Sequence, residues 1–256
     1  MAVRIIAFVD HEIGARLLKK LVSHSQKRLI KLAAVVTTTE NGHGWWPGVE
    51  DICREFRVPF YRFKEPYDDI LSIKEVDWYL LLSWKHLIKE NFINQPRNGV
   101  INLHYSLLPK FRGVYPVNWA IIEGEKITGI TYHLVNNKID DGQNIVQGEI
   151  EIFPSDNARS LQVRLDELAF QLFDELLVYL LDPSLIAKKV VELLQNKQYR
   201  SRADFNAICK IDLEKTYSGA EIINLLRGLS YFPDSKNAYF IDAGKKVYLN
   251  LTLFEE

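Results

Sequence analysis

The chain alternates short apolar runs with amphipathic segments over much of its length. Continuous apolar runs at Arg4–Val9, Leu32–Val36, Trp78–Leu82 and Gly99–His104 are typical of strands buried on both faces. Apolar residues at helical spacing between these runs, first over Ile13–Val22, predict crossover helices. Strands that alternate with helices predict an α/β fold: a Rossmann-like, mainly parallel sheet with helices on both faces.

The pattern changes in the second half of the chain. Gly129–Val135 and Asn144–Ile152 alternate like strands with one exposed face, and a long helix over Ser160–Leu181 is expected to close the first domain. Tyr199–Asp212 is polar and is predicted to be a linker. The other predicted elements are helices at Val49–Phe56, Leu87–Phe92, Pro116–Ile122 and Ala220–Leu229 and strands at Pro59–Tyr61, Ala238–Ile241 and Lys246–Leu253.

We expect a domain boundary near residue 200. The catalytic domain would then cover residues 1–200, and a small α+β C-terminal domain would cover 201–256 and either bind substrate or contact a second copy of the chain.

Composition and charge narrow the function classes. The 32 basic and 33 acidic residues leave a formal charge of −1, which disfavours a long polyanion as substrate. Two cysteines, Cys53 and Cys209, are too few for a disulfide scaffold or a cysteine-based zinc site. The N-terminus lacks a signal-peptide pattern, and no window approaches the roughly 18 apolar residues that a membrane span needs. We therefore expect a cytoplasmic protein without a metal, a nucleic-acid partner or a membrane partner.

Candidate chemistry lies at the end of the last apolar strand. Asn102 and His104 share one face of that strand, at the sheet edge where ligands bind in open α/β folds. Asp140 and Asp141 stand in a turn that ends at Gly142. An amide, an imidazole and a carboxylate are the groups that acyl transfer to an amine requires, because the carbonyl oxygen gains negative charge while the amine loses a proton.

The stretches INLHYSLLPKFRGVYPVNWAIIEGE and GITYHLVNNKIDDGQNIVQGEIEI resemble the folate-dependent formyltransferases. That family includes methionyl-tRNA, glycinamide ribonucleotide and nucleotide-sugar N-formyltransferases. Its motif is an N-x-H-x-S-L-L-P run with a nearby R-G, followed by a D-x-G turn. The matching residues are Asn102, His104, Ser106, Leu107, Leu108, Pro109, Arg112, Gly113, Asp140 and Gly142.

This resemblance implies a catalytic triad of Asn102, His104 and Asp140, with 10-formyltetrahydrofolate as the co-substrate and no metal. Asp141 competes with Asp140, because the doubled Asp leaves the register ambiguous by one residue. The other histidines are expected to be structural or surface groups: His11, His24, His43 and His133. The implied folate contacts are Ser83, Trp84, Lys85, Leu87, Asp141 and Gly142.

The acceptor amine is suggested by the loop after the first strand and by the tail. The loop contains one glycine, Gly14, which does not make the phosphate nest of glycinamide ribonucleotide enzymes. The tail is short and includes several acidic residues, which make a poor surface for a phosphate backbone, and it resembles that of the nucleotide-sugar N-formyltransferases. The implied substrate is a dTDP-linked 3- or 4-amino-dideoxyhexose for surface-polysaccharide (O-antigen, lipopolysaccharide) biosynthesis, and the implied assembly is a homodimer.

Several residues are expected to bind that acceptor, although the aromatic ones among them would equally serve to pack the C-terminal unit or a dimer interface. They are Tyr105, Arg112, Gly113, Arg200, Arg202, Tyr231, Phe232, Asn237 and Tyr239. Two alternative functions stay open: a methionyl-tRNA formyltransferase, and a non-catalytic folate- or nucleotide-binding protein.

Overall fold

The computed structural model describes residues 2–38, 48–65, 67–187, 199–231 and 237–254. In chain order the strands, β1 to β11, are Val3–Val9, Ile30–Thr37, Phe60–Arg62, Trp78–Leu82, Gly99–His104, Arg112–Gly113, Ile127–Leu134, Asn144–Glu151, Tyr199–Arg200, Tyr239–Asp242 and Lys245–Tyr248. The helices, α1 to α9, are His11–Gln26, Val49–Glu55, Asp68–Leu71, Glu90–Ile93, Pro116–Ile122, Ala158–Leu181, Ser184–Ala187, Arg202–Ile208 and Gly219–Leu229.

Seven strands form one sheet in the order β3-β2-β1-β4-β5-β7-β8. The pairs β1–β2, β1–β4, β2–β3 and β4–β5 are parallel, whereas β5 and β7 are antiparallel. A small antiparallel sheet of β10 and β11 lies near the C-terminus. The predicted class, a mainly parallel Rossmann-like sheet with a small C-terminal extension, is confirmed.

The central strands are buried because their side chains are apolar on both faces. β4 is buried at all five positions, and such a strand requires cover on both sides of the sheet. Helix α1 supplies part of that cover with one apolar face, which buries Ile13, Leu17, Leu21 and Val22. The carboxyl ends of β4 and β5 therefore lie at the border of a well-packed core.

One predicted linker is partly helical. Tyr199–Asp212 contains β9 and α8, and α8 begins with a capping box in which Ser201 and Asp204 exchange hydrogen bonds between side chain and backbone. Phe205 anchors this helix, since its side chain is 4% exposed. The linker prediction was wrong. The segment is polar and lacks apolar periodicity, but its helix is stabilised by the capping box and by the burial of Phe205.

The chain forms two compact units. The first comprises Met1–His104, Thr131–Val146 and Ala169–Glu192, and the second comprises Tyr105–Ile130, Gln147–Leu168 and Leu193–Glu256. The second unit has its own apolar core, in which the amide of Asn118 donates to the carbonyl oxygen of Gly228 at 2.7 Å. The boundary expected near residue 200 stays a prediction. Within the described ranges, no helix combines the length and apolar character that crossing a bilayer requires.

Candidate active site

Four polar side chains of the first unit meet near the carboxyl end of β5. Asn102 and His104 lie on β5, and Asn102 stands directly opposite His133 in the antiparallel register with β7. The chain then leaves β7 and returns through the turn that holds Asp140. Parallel and antiparallel pairing thus bring together residues that are distant in sequence.

The distances define the arrangement. Nδ1 of His104 lies 3.6 Å from Oδ2 of Asp140, and Nε2 of His133 lies 3.5 Å from Oδ1 of the same carboxylate. The amide nitrogen of Asn102 lies 3.3 Å from Nε2 of His133. The side chains of His104 and Asp140 are only 7% and 12% exposed. Their mutual attraction is therefore weakly screened by solvent when the imidazole carries a proton.

The turn that presents Asp140 has special backbone geometry. Asp140 has φ +47, a left-handed conformation that aspartate tolerates better than most residues. A side chain at Gly142 would overlap the carbonyl oxygen of Leu134, so this position has room only for glycine. The amide of Leu134 donates to the carbonyl oxygen of Gln143 at 2.8 Å and closes the turn. Between the two aspartates, the carboxylate beside His104 is that of Asp140, and Asp141 follows it with intermediate exposure.

The residues predicted to contact folate follow β4, the strand next to β5. Ser83 has φ +60 and lies against His11, whose Nδ1 is 3.1 Å from Oγ of Ser83. The indole of Trp84 packs edge-on against Phe8, and its buried Nε1–H has no hydrogen-bond partner among the residues that the structure describes. Lys85 is exposed, and Leu87 is 76% exposed.

The acceptor residues predicted after β5 lie in the second unit. The hydroxyl of Tyr105 donates to Oδ1 of Asp166 at 2.6 Å. Arg112 and Gly113 form β6, which pairs with β9 at Tyr199 and Arg200. Gly113 has φ +98, and a side chain there would overlap the carbonyl oxygen of Arg200. The backbone thus joins three of the predicted residues, Arg112, Gly113 and Arg200, in one short ladder.

Two of the three predicted arginines, Arg200 and Arg202, lie on aromatic rings. The guanidinium of Arg200 stands 4.6 Å from the ring centroid of Trp119 and forms an ion pair with Glu123. Arg202 is exposed and stands 5.9 Å from the ring of Tyr115. Cation–π contacts of this kind hold a guanidinium in place while its edges remain donors.

The remaining predicted acceptor residues that the structure describes have other contacts in the second unit. Tyr231 is stacked beneath Arg159, at 5.5 Å, and the amide of Asn237 donates to the carbonyl oxygen of Leu229. Tyr239 packs against the apolar core of the second unit. Phe232 lies outside the described residues.

His133 was expected to be a structural or surface group and was given no place in the site. Its side chain is 2% exposed, which agrees with a structural group and excludes the surface, and it stands between Asn102 and Asp140. The available signal was its location on the strand that precedes the Asp turn. The antiparallel direction of β7, which sets it opposite Asn102, is not visible in the sequence.

Burial makes the thiols of both cysteines poor nucleophiles. It raises the pKa of the Cys53 thiol to about 12 and also raises the pKa of Cys209. Both therefore stay neutral thiols near pH 7, and only the thiolate attacks carbonyls efficiently. Among the described residues, no group of three His, Cys, Asp or Glu side chains has the arrangement of a metal site.

The family follows from a comparison with protein-family models. Residues 14–177 match the model described as "Formyl transferase", and this match includes every residue of the four-membered cluster. The chain belongs to the formyl transferase family. Residues 204–255 match a second model, "N-formyltransferase dimerization C-terminal domain". The enzyme class expected from the sequence, a folate-dependent formyl transferase, is confirmed.

Two of the proteins that resemble this formyl transferase share 28% and 25% of its residues. A methionyl-tRNA formyltransferase of Thermodesulfovibrio yellowstonii is 28% identical, over 91% of this chain and 75% of its own length. Of four further curated relatives with that name, the chain spans 53–62%. A sugar N-formyltransferase structure from a Shewanella species has a TM-score of 0.79 at 25% identity, with 99% of each chain covered.

A third similar protein carries informative ligands. It is an N-formyltransferase of Helicobacter canadensis whose structure is described as a complex with folinic acid and dTDP-3-aminofucose. Its TM-score is 0.70 at 23% identity, with 89% of this chain and 80% of that chain covered. At this identity the likeness establishes a shared fold.

Proposed function

We propose that this formyl transferase moves the formyl group of 10-formyltetrahydrofolate to the amine of an amino-deoxy sugar nucleotide. The acceptor we propose is a dTDP-linked 3- or 4-amino-dideoxyhexose, used to build a surface polysaccharide. The observation that carries the catalytic part is the convergence of Asn102, His104 and Asp140, whose groups match the charges that develop during acyl transfer.

The proposed roles follow from the chemistry of each side chain. The neutral amine attacks the formyl carbon, and a C–N bond forms while the carbonyl oxygen gains negative charge. An N–H of Asn102 and the imidazole of His104 hold this oxygen. Asp140 faces Nδ1 of His104, which orients the ring and supports its positive charge. The oxygen then re-forms the carbonyl, the bond to the folate nitrogen breaks, and the proton of the amine passes to that nitrogen.

On the folate side, we propose that Ser83, Trp84, Lys85 and Leu87 form one wall. Two features of these residues fit a heteroaromatic ligand with polar edges. Within the described part of the chain, the buried Nε1–H of Trp84 has no acceptor, and buried donors of this kind are normally satisfied by a partner. Leu87 offers an exposed apolar surface beside it. Asp141 and Gly142 would close the opposite side, next to the carboxylate of Asp140.

On the acceptor side, we propose that Arg200 and Arg202 bind the pyrophosphate. Arginine forms charge-assisted bidentate hydrogen bonds with phosphate oxygens, and both guanidinium groups already lie on aromatic rings of the second unit. Tyr115, which stacks on Phe205 with ring centroids 4.2 Å apart, adds an exposed aromatic surface for a base or sugar. The dTDP-3-aminofucose bound by the Helicobacter canadensis protein supports a dTDP-linked acceptor.

The remaining predicted residues complete the proposal. Arg112, Gly113, Tyr105, Tyr231, Asn237 and Tyr239 stay candidates for acceptor binding, as does Phe232. We propose a homodimer joined through the C-terminal domain, because residues 204–255 match a domain named for dimerization.

A second candidate is the formylation of methionyl-tRNA, which the names of curated relatives favour. Its weakness is the charge of the tail, where acidic residues slightly outnumber basic ones between 204 and 255. A tRNA backbone calls for a basic surface, and its binding weakens steeply with salt.

The test is a substrate panel. The enzyme is incubated with 10-formyltetrahydrofolate and, separately, dTDP- and UDP-linked 3- and 4-amino sugars or methionyl-tRNA, and products are identified by mass spectrometry. His104→Ala enzyme serves as the blank. Formylation of a dTDP-amino sugar supports the proposal, whereas formylation of methionyl-tRNA alone would reject the sugar nucleotide.

A further inference from the structure

His133 is a buried imidazole whose two nitrogen atoms both have partners. Nδ1 lies 2.8 Å from the carbonyl oxygen of Leu134, and Nε2 lies 3.3 Å from the amide nitrogen of Asn102. The residue is 1% exposed. Polar side chains buried to this degree lose water as an alternative partner, so their protein contacts determine which atoms carry protons.

These two partners fix the tautomer of His133. A carbonyl oxygen only accepts hydrogen bonds, so Nδ1 of His133 must carry a proton. The side-chain nitrogen of Asn102, which only donates, is the amide atom that faces Nε2, so with this amide orientation Nε2 is the acceptor. The ring that satisfies both contacts is the neutral imidazole with its proton on Nδ1.

The neutral state of the ring also determines whether Nε2 of His133 interacts with Asn102 or with Asp140. Nε2 stands 3.5 Å from Oδ1 of Asp140, and a lone pair that faces a carboxylate oxygen does not attract it. A charged ring would attract Asp140 away from His104 and would turn the amide of Asn102 around. The neutral form leaves Asp140 to His104 and directs Nε2 of His133 to Asn102.

The consequence concerns the side-chain amide of Asn102. Its NH₂ group has two N–H bonds, and Nε2 of His133 accepts one of them. This contact selects the amide orientation and leaves the second N–H for another acceptor. Without it, the two orientations of an amide are nearly equal in shape, and only the hydrogen-bonding network separates them.

We propose that His133 is a positioning residue that holds Asn102 in the orientation in which its second N–H meets the oxygen of the formyl group. The proposal rests on the proposed role of Asn102 in formyl transfer. It assigns His133 no contact with either substrate, and its effect on the reaction passes through Asn102.

The test compares His133→Leu with His133→Gln. Leucine keeps apolar volume but removes the acceptor, and we expect kcat to fall roughly 10- to 100-fold, the scale for a misplaced or lost oxyanion donor. KM for 10-formyltetrahydrofolate should change less than about threefold, since ground-state binding does not involve His133. Glutamine places an oxygen near the position of Nε2 and should recover most of the lost kcat.

A double variant separates positioning from general structural damage. Asn102→Ala should lower kcat, and adding His133→Leu should lower it no further, because His133 acts only through Asn102. The control is Thr128→Val on the same strand. Its buried hydroxyl has no hydrogen-bond partner in the described ranges, and its removal should leave kcat unchanged. Additive losses, or a normal kcat for His133→Leu, would overturn the proposal.

A measurement on the unmodified enzyme applies even when His133→Leu does not fold. Nitrogen-15 NMR of histidine-labelled protein, with His133→Gln to assign the signal, should show a protonated Nδ1 and an unprotonated Nε2. A proton on Nε2 would overturn the inference. Failure of the proposed function is distinguishable, since it would appear as wild-type turnover in Asn102→Ala itself.

Discussion

Nδ1 of His104 lies 3.6 Å from Oδ2 of Asp140 in the first unit, and both side chains are largely buried. This relationship joins the end of a sheet strand to a turn that follows another strand. It depends on the antiparallel pairing of β5 with β7, which directs the chain toward the turn. The formyl transfer proposed above uses this pair together with Asn102.

The first prediction distinguishes the two neighbouring aspartates. Asp140→Asn should lower kcat by about 10²- to 10⁴-fold, because an amide cannot support a positive charge on His104. Asp141→Asn should cost far less of kcat. Steady-state assays with a saturating acceptor measure both, with the exposed Glu175→Gln variant as control for a lost surface charge. A larger loss in Asp141→Asn would move the catalytic role by one residue.

The second prediction concerns the turn that presents Asp140. A methyl group at Gly142 would overlap the carbonyl oxygen of Leu134, so Gly142→Ala must displace the turn. We expect a loss of about 1–3 kcal/mol in the free energy of unfolding and at least a roughly 10-fold loss in kcat. Chemical denaturation and initial rates measure these quantities.

The matched control for that variant is Gly219→Ala. Gly219 begins helix α9, and a side chain there would meet no atom within 4 Å. Alanine also favours helix, so stability should stay equal or rise by up to about 1 kcal/mol. If Gly142→Ala and Gly219→Ala had the same effect on unfolding free energy and kcat, overlap with Leu134 would not be the reason for a glycine at position 142.

The third prediction tests a buried carboxylate at the end of β1. Asp10 is fully buried and accepts hydrogen bonds from Oγ1 of Thr37 and from both the amide and the hydroxyl of Thr38. Asp10→Ala leaves these donors without their acceptor and should cost about 2–4 kcal/mol of unfolding free energy. Thr38→Val removes one donor and should cost about 1 kcal/mol. A negligible effect of Asp10→Ala in urea denaturation would contradict this account of the strand ends.

The fourth prediction concerns pH and the start of helix α8. The backbone N–H of Ser201, 2.7 Å from Asp204, and then its hydroxyl lower the pKa of the Asp204 carboxyl. A lowered pKa in the folded state means that the ionised carboxylate stabilises the fold above its ordinary pKa. That contribution is lost as pH falls through the lowered value.

Carbon-13 NMR titration of the carboxyl group measures this effect. Ser201→Ala removes the hydroxyl donor but keeps the backbone donor, so the pKa of Asp204 should rise part of the way toward its ordinary value. The second capping box offers an internal control, because Glu221 at the start of α9 depends on Ser218 and should titrate unchanged in that variant. An unchanged pKa of Asp204 in the Ser201→Ala variant would disprove the capping account.

Particular residues show how far the sequence determines this fold and site. Apolar runs located β1, β4 and β5, because burial on both faces leaves a continuous signal. The motif and its resemblance suggested Asn102, His104 and Asp140. The pairing of His133 with Asn102 could not be predicted, because it depends on strand direction and register, which long-range packing decides.

Helix α8 was missed for a different reason. Its signal, a serine followed by an aspartate at the third helical position, was present in the sequence but stood in a polar stretch without apolar periodicity. The contact between Tyr105 and Asp166 illustrates a third limit. The hydroxyl of Tyr105 donates to Asp166, a partner that only the folded chain brings near, and the role of Tyr105 in acceptor binding stays a prediction.

The most direct test of the proposed catalytic group is a double-mutant cycle on turnover with His104→Ala, Asp140→Ala and the combined variant. If the two side chains act as one unit on the formyl group, each single variant should lose about 10²- to 10⁴-fold in kcat, and the combined variant should lose little more than the worse single one. Losses that multiply, or single variants that turn over at the wild-type rate, would contradict the shared role of His104 and Asp140.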